Sequence, residues 1–438
     1  MKADAEAVRV LERVPEGWRV LPLRRFADVR RGTADKTIVE GERLAHLIQY
    51  TDVYYKSEQR ADDDYLTISV SENEWRSART QRGDLLVTGS SETIDDIGHS
   101  TYVGEGLSDH VFGADVLCIR PHPTALVPGY GKYLMENSIY LRVFSQLSRG
   151  VTRFRFSMDD FKNVPYALPP APAQVMIRDF LDGETSRIDA LIYRKQRFID
   201  LLVEKRASLA TQRSTRGINA KALMRDWPLI NPSQVPAHWE VLRAKFVLRE
   251  RDVRSVDGNE ELLTVSHITG VTRRSEKRVY MFMAETNEGY KTCRAGDLAI
   301  NTMWAYQGAA GIAPCDGIVS PSYNVYSFTR RVDPAYFDLL VRSRPLVAEF
   351  EARSTGIWKS RLRLYPSEFL DIPLPVPPID EQTAIVRLVA KETAKIDALV
   401  DKTRASIDLL SEHRTSLISA AVTGQINIPG TETSEDVA

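Results

Sequence analysis

The sequence predicts an α+β fold: two mixed α/β domains separated by two long antiparallel helices that form an intrachain coiled coil, with an internal pseudo-two-fold repeat. Three observations predict it. Residues 165–219 align with 373–427 without a gap, and 22 of the 55 paired positions are identical, far more than unrelated segments share. Each aligned segment carries apolar residues at spacings of three, four and seven, the mark of an amphipathic helix. The stretch before each segment is rich in strand-like runs, and the two stretches share only short anchors.

Each half opens on the same words, Val14-Pro15-Glu16-Gly17-Trp18 and Val235-Pro236-Ala237-His238-Trp239. In the first half Tyr65 to Val70, Asp84 to Thr88 and Val116 to Arg120 read as strands, and 130–145 reads as a short helix. In the second, Tyr323 to Phe328 reads as a strand and 334–352 as a helix. Gly83-Asp84-Leu85 recurs as Gly296-Asp297-Leu298, and Ser148-Arg149-Gly150-Val151 as Ser354-Thr355-Gly356-Ile357. Pro169-Pro170 and Pro377-Pro378 close the domains, because proline stops strands and precedes helices.

From 173 to 213 there is no proline and one glycine, Gly183. A helix of about 35 residues is about 50 Å long and cannot bury its stripe alone. The other copy is the natural partner; the alternative is two independent helices, each packed on its own domain. Lys195 and Thr403 fall at core positions of the heptad, which predicts an imperfect seam. The expected organisation is a first domain over 1–165, a helix over 166–216, a linker over 217–234, a second domain over 235–373, a helix over 374–424 and a disordered tail over 425–438.

Composition excludes several classes. The 438 residues are 43% hydrophobic and 27% charged, ordinary for a globular protein and unlike a disordered one. Lys and Arg number 58 against 59 Asp and Glu, a formal charge of −1, which argues against a generic basic coat or a polybasic membrane binder. Cys118, Cys293 and Cys315 form no C-x-x-C pair and read as free thiols of a reducing compartment. The opening Met1-Lys2-Ala3-Asp4-Ala5-Glu6 is too acidic for a signal peptide, and no apolar run approaches the ~20 residues that span a bilayer. A cytoplasmic protein is expected.

No catalytic motif stands out. Gly129-Tyr130-Gly131-Lys132 lacks the first glycine and the Ser/Thr of a phosphate-binding loop, and Gly104-Glu105-Gly106 reads as a turn. The seven histidines are isolated in sequence, with no H-E-x-x-H. Asn231-Pro232-Ser233-Gln234 lacks the second proline and the aromatic of an adenine methyltransferase loop, and Asp62-Asp63-Asp64 reads as a solvated acidic loop. Neither a catalytic residue nor a metal site is expected.

Charge is nevertheless patterned. Residues 353–363 hold Arg353, Lys359, Arg361 and Arg363 with no acid, interleaved with Trp358. The matching stretch of the first half sets Arg149, Thr152, Arg153 and Arg155 around Gly150. Cations on glycine-bearing loops can reach phosphates, and Arg can fork onto guanine; the alternative is an edge strand with a solvated face. Asn301 to Gly308 contains Trp304, Tyr306 and Gln307, the last able to read adenine, and its counterpart over 88–93 is a hydroxyl-rich loop containing Ser90. Turn chemistry with a core aromatic is the competing reading of both.

In this duplicated order, the motifs resemble the specificity subunit of type I restriction–modification systems (HsdS-like). The resemblance spans nearly the whole chain. It rests on the V-P-x-x-W openings, the Gly-Asp-Leu turns, Asn301 to Gly308, Leu374-Pro375-Val376-Pro377-Pro378-Ile379-Asp380-Glu381-Gln382 and Lys395-Ile396-Asp397-Ala398-Leu399. The first half departs at Ala173-Gln174, where Glu is replaced by Ala, and at Gly183; a weaker or bent helix start is expected there.

The resemblance implies two target-recognition domains, each reading one half of a bipartite site in double-stranded DNA. It implies helices that bind two methyltransferase (modification) subunits, for which Ile188, Leu191, Leu202, Leu209, Ile396, Leu399, Leu410 and Leu417 are the candidates. Restriction or translocase subunits can complete the complex. The chain itself is then a non-catalytic subunit without a cofactor, while S-adenosylmethionine, and ATP and magnesium where a nuclease is assembled, belong to its partners. Two other classes stay open: a coiled-coil scaffold that binds proteins only, and a self-contained DNA nuclease.

Overall fold

The computed structural model describes residues 14–276, 286–329, 331–358 and 361–428. The acidic opening, the segment 429–438 and Lys359 lie outside the described residues. The chain forms two compact units, one built from residues up to Lys195 together with those from Ala405 onward, the other from Gln196 to Arg404. Both are mixed α+β.

In the first unit Arg19–Pro22 pairs antiparallel with Pro165–Leu168, so the ends of the first strand-rich stretch meet. Between them lies a five-stranded sheet in the order Ala27–Arg31, Val116–Pro121, Leu85–Thr88, Ser100–Val103, Glu58–Gln59, antiparallel except for the last pairing. Side chains alternate across a strand. Leu85, Val87, Leu117 and Ile119 therefore face one core, with Tyr130, Phe144, Phe161 and Tyr166 and, from the long helices, Leu181 and Val422. Leu86 and Cys118 face a second core under the three-stranded sheet Leu66–Val70, Arg43–Ile48, His110–Phe112. The helix expected over 130–145 is two, Tyr130–Glu136 and Ser138–Leu147. Asn137 leaves helical backbone and its side chain accepts from Ile139 N at 2.8 Å, a cap that outweighs the continuing apolar stripe.

The second unit repeats the closure, Glu240–Arg243 against Pro373–Val376. Its four-stranded antiparallel sheet runs Leu248–Glu250, Tyr323–Phe328, Leu298–Asn301, Ala310–Ile312. Leu298, Ile300 and Tyr326 pack on Phe337, Phe350, Phe369 and Ile385. The expected helix over 334–352 again splits, into Pro334–Val341 and Arg344–Arg353, with Pro345 in the first turn of the second, where its missing N–H costs nothing. The stretch between the first long helix and the second domain contains Met224–Trp227, paired with Ser233–Pro236. Trp227 there is fully buried and donates from Nε1 to Pro373 O at 2.7 Å.

The two long helices, Ala171–Arg216 and Ile379–Val422, have 46 and 44 residues, more than the periodicity alone predicts. Each begins immediately after its proline pair. The weak start expected of the first does not occur: it runs unbroken through Gly183. Its anchor is Gln174, not the missing Glu. Gln174 Nε2 donates to Pro169 O and Ala125 O at 3.0 and 3.2 Å, and its Oε1 accepts from Val127 N at 2.8 Å. Gln382 makes the same set, to Pro377 O, Arg331 O and from Asp333 N.

Within each unit the helix segments pair antiparallel. In the first, Arg414 meets Asp189 at 3.0 Å; in the second, Arg206 meets Asp397 at 2.9 Å and Arg213 approaches Glu392 at 3.7 Å. Ile188, Ile199, Leu202, Ile396, Val400 and Thr403 are buried along the helices. Thr403, at a core position, donates its hydroxyl to Leu399 O at 2.7 Å. Both helices end on a left-handed glycine, Gly217 and Gly424, and each packs on the opening tryptophan of its own unit. A β-carbon on Gly217 would sit 3.1 Å from Trp239, and one on Gly424 would sit 2.4 Å from Pro15 and 3.4 Å from Trp18. The V-P-x-x-W words are thus helix-end clasps. No helix among the described residues is long and apolar enough to cross a membrane.

Candidate nucleic-acid interface

In the first unit the fold joins two stretches that are far apart in sequence. Arg149 and Arg155 form a bridge, with N–H to O distances of 2.8 and 3.0 Å in the two directions. The bridge closes a loop over 150–154, and the adjoining Phe154–Arg155 pairs with Ser90–Ser91. Gly150 makes the closure possible. Its φ is +150°, and a β-carbon there would lie 2.1 Å from Arg153 O. Arg153 Nε donates to Ser90 Oγ at 3.1 Å. Asp115 sits 3.5 Å from the Arg153 guanidinium and 3.8 Å from that of Arg155. Tyr50 donates to Ser90 O at 3.0 Å, and burial pushes its phenol above the usual range, with Asp96 adding to the shift.

The second unit builds the same device. Thr355 and Arg363 form the bridge, at 3.0 Å in both directions. A β-carbon on Gly356 would lie 2.5 Å from Arg361 O. The neighbouring stretch is again the exit of a central strand, since Leu364 N donates to Thr302 O at 3.0 Å. An open cleft of about 500 Å³ is lined by Met303, Thr355, Gly356, Arg361, Arg363 and Tyr365. Beside it Trp304 stands between His267 and Tyr306 in nearly parallel planes, with centroids 6.4 and 6.2 Å away.

The candidates divide as follows. Arg149, Thr152, Arg153, Arg155, Arg361 and Arg363 are exposed on the clasped loops, as is Trp358. Trp304 and Gln307 are exposed and Tyr306 is half-buried, its hydroxyl accepting from Gln307 Nε2 at 3.2 Å. Ser90 is 2% exposed and holds Arg153 rather than facing solvent. Arg353 turns inward to Glu349 at 2.6 Å, so the basic run has fewer free cations than its sequence shows. On the helices, Ile188, Leu202 and Ile396 are buried, and Leu209, Leu410 and Leu417 are half-buried. Leu191 and Leu399 are exposed, and so are Leu201 and Leu409, a second pair at repeat-equivalent positions.

Three residues that could act chemically are buried or already paired. Burial pushes the Cys118 and Cys293 thiols up to about 12, so neither is a nucleophile at neutral pH. Asp63 accepts from Arg60 N and Tyr65 and pairs with Lys56. The histidines are less isolated than their spacing indicates: His46 and His110 lie opposite each other on adjacent parallel strands, ring centroids 5.0 Å apart. Among the described residues, no group of three or more His, Cys, Asp or Glu could hold a metal ion.

No family model and no curated protein matches the sequence. Solved structures do. The chain superimposes on one from a structure of the type I R-M system, concerned with its complex assembly and conformational transition, with a TM-score of 0.62 and 14% identity, covering 94% of this chain and 100% of that one. The HsdS subunit from Thermoanaerobacter tengcongensis aligns over 94% of this chain and 98% of its own, at 14% identity and a TM-score of 0.48. The chain has the fold of a type I R-M system chain along nearly its whole length.

Proposed function

We propose that this chain is the DNA-specificity subunit of a type I restriction–modification complex. The domain over 1–165 reads one half of a bipartite site and the domain over 235–373 reads the other. Arg149, Thr152, Arg153, Arg155, Lys359, Arg361 and Arg363 grip phosphates or fork onto guanine, while Trp304, Tyr306, Gln307 and Trp358 meet bases. Ser90 positions Arg153. The long helices set the unread gap and receive two methyltransferase subunits, on surfaces that include Leu191, Leu201, Leu399 and Leu409. Chemistry, with S-adenosylmethionine and, where a nuclease is assembled, ATP and magnesium, resides in those partners.

One observation supports this reading above the rest. The same glycine-clasped basic loop, seated beside the exit of a central strand, recurs in two domains that otherwise diverge. Divergence suits domains that read different sequences, and greater similarity suits helices that meet identical partners. A shared fold alone would not assign function. Methylome sequencing of the host with and without the chain is the test. The expected result is loss of one bipartite methylation motif. Exchange of residues 15–165 for a homologous domain should alter one half-site only, and an unchanged motif would refute the reading. A protein-only scaffold leaves the methylome untouched, and a self-contained nuclease cuts DNA without partners.

A further inference from the structure

We infer that Val151 and Ile357 are apolar wedges, each entering the stack of duplex DNA at one base step of its half-site. The inference rests on the DNA-reading function proposed above and assigns a role to residues that reading does not use.

Val151 is 92% exposed and Ile357 93% exposed. Both follow the clasp glycine directly, at repeat-equivalent positions of two domains that share little else. A bare β-branched side chain on one loop needs no explanation; the same placement twice, on the same device, does. The clasp holds the two ends of each loop together. The bridges Arg149–Arg155 and Thr355–Arg363 pin the loop ends, and Gly150 and Gly356 let backbone cross backbone where any β-carbon would collide. A β-branched side chain has few rotamers to lose, so it enters a tight slot with little further ordering.

Charge selects the occupant. Exposed guanidinium groups flank both tips, those of Arg149, Arg153 and Arg155 on one loop and of Arg361 and Arg363 on the other. Apolar tips ringed by cations suit a ligand with anionic edges and an apolar interior, and stacked bases between phosphate rails are such a ligand. Side chains of this kind unstack a step and kink the duplex. The cost depends on the step, so sequence is selected without hydrogen bonds to bases.

The test uses the complex assembled with its methyltransferase subunits and a duplex carrying its methylation motif. 2-Aminopurine replaces adenine at each position in turn, the methylated adenines excepted. In the wild-type complex one step per half-site should brighten several-fold. Val151→Ser should abolish the signal in the first domain's half-site only, and Ile357→Ser in the second's only. Each should weaken binding about tenfold, the size of one mismatched base pair, with an unchanged salt slope because the phosphate contacts remain. Both sites are exposed, and unchanged thermal melts confirm folding. Brightening that survives both substitutions overturns the inference, as does a wild-type complex that unstacks no step. So does failure of the variants to bind the methyltransferase subunits, which would make the tips a protein contact. A wild-type complex with no sequence preference overturns the parent reading instead.

Discussion

Replacing Arg414 with alanine should cost far more than replacing Arg206, although the two occupy the same position of the repeat, 208 residues apart. Arg414 Nη1 donates to Glu136 at 3.1 Å and its Nε to Asp189 at 3.0 Å. The Arg414 side chain is 25% exposed and that of Glu136 17%. Burial pushes the Glu136 carboxyl above its ordinary range, and Arg414 is the main force opposing that shift. Removing it strands a carboxylate in the interior. Breaking a buried pair costs roughly 3–5 kcal/mol, and the remaining exposure discounts this to about 2–4 kcal/mol. Among the described residues Arg206 bonds only Asp397, and both side chains are half exposed, which limits Arg206→Ala to roughly 0.2–1 kcal/mol. Urea unfolding of the purified chain, followed by circular dichroism, measures both. Adding Glu136→Gln to Arg414→Ala should restore much of the loss, because the stranded charge is gone. Lowering the pH should narrow the gap to wild type for the same reason, since loss of Arg414, which holds the Glu136 pKa down, raises the variant's folded pKa further above the unfolded value. Equal costs for the two arginines, or no rescue by Glu136→Gln, would refute the reasoning.

Gly183 is helical and exposed, and a β-carbon there meets nothing within 4 Å. Gly183→Ala should therefore stabilise the helix by about 0.5–1 kcal/mol in thermal melts, and a loss would contradict the unbroken helix. His110 is 5% exposed with neither ring nitrogen hydrogen-bonded among the described residues, and burial, with His46 adding to it, pushes its pKa down to about 4. The unfolded chain takes up that proton first, so the first unit should lose up to about 3 kcal/mol as the pH falls from about 6.5 to about 4. His110→Leu should flatten this acid limb in urea titrations; an unchanged limb would exclude His110 as its source. Asp115 pairs with Arg153 and Arg155, the two cations that the proposed function assigns to DNA. Asp115→Asn should tighten binding by the assembled complex and steepen its salt slope by about one; filter binding across a salt series that finds no change would remove Asp115 from the interface.

The helices were legible because their signals are local: a repeat period, an apolar stripe and two proline pairs. What sequence reasoning missed turns on competition or distance. Gly183 carries a penalty of about 1 kcal/mol, too small to break a helix of 46 residues that is packed along its length. Asn137 and Pro345 split helices whose stripes continue, because a cap and a missing N–H act at one residue while periodicity averages over many. His46 and His110 meet only through strand register. At the candidate site, charge marked the basic loops, but their junction with Ser90 and Thr302 depends on pairing across more than fifty residues. Val151 and Ile357 escaped notice because an apolar residue is first assigned to a core. Their signal was present in the shared Gly-[Val/Ile] step of two otherwise different loops.

The formal charge of −1 averages over two loops that are not electrically alike. On the first, Asp115 lies within 4 Å of the guanidinium groups of both Arg153 and Arg155, so in the proposed complex a phosphate would take over a place that a carboxylate already holds. On the second, Arg353 is committed to Glu349 and Glu368, while among the described residues no ion pair engages Arg361 or Arg363. In the two-reader scheme the second loop attracts any duplex, whereas the first binds well only where a phosphate is placed to displace Asp115. Internal carboxylates thereby weaken nonspecific binding, which is almost wholly electrostatic, more than they weaken binding to an aligned site, where base contacts and partner subunits add to the phosphate term. Near-neutrality is then a means of selecting the correct half-site, and an isolated chain that grips DNA weakly is what such a device requires.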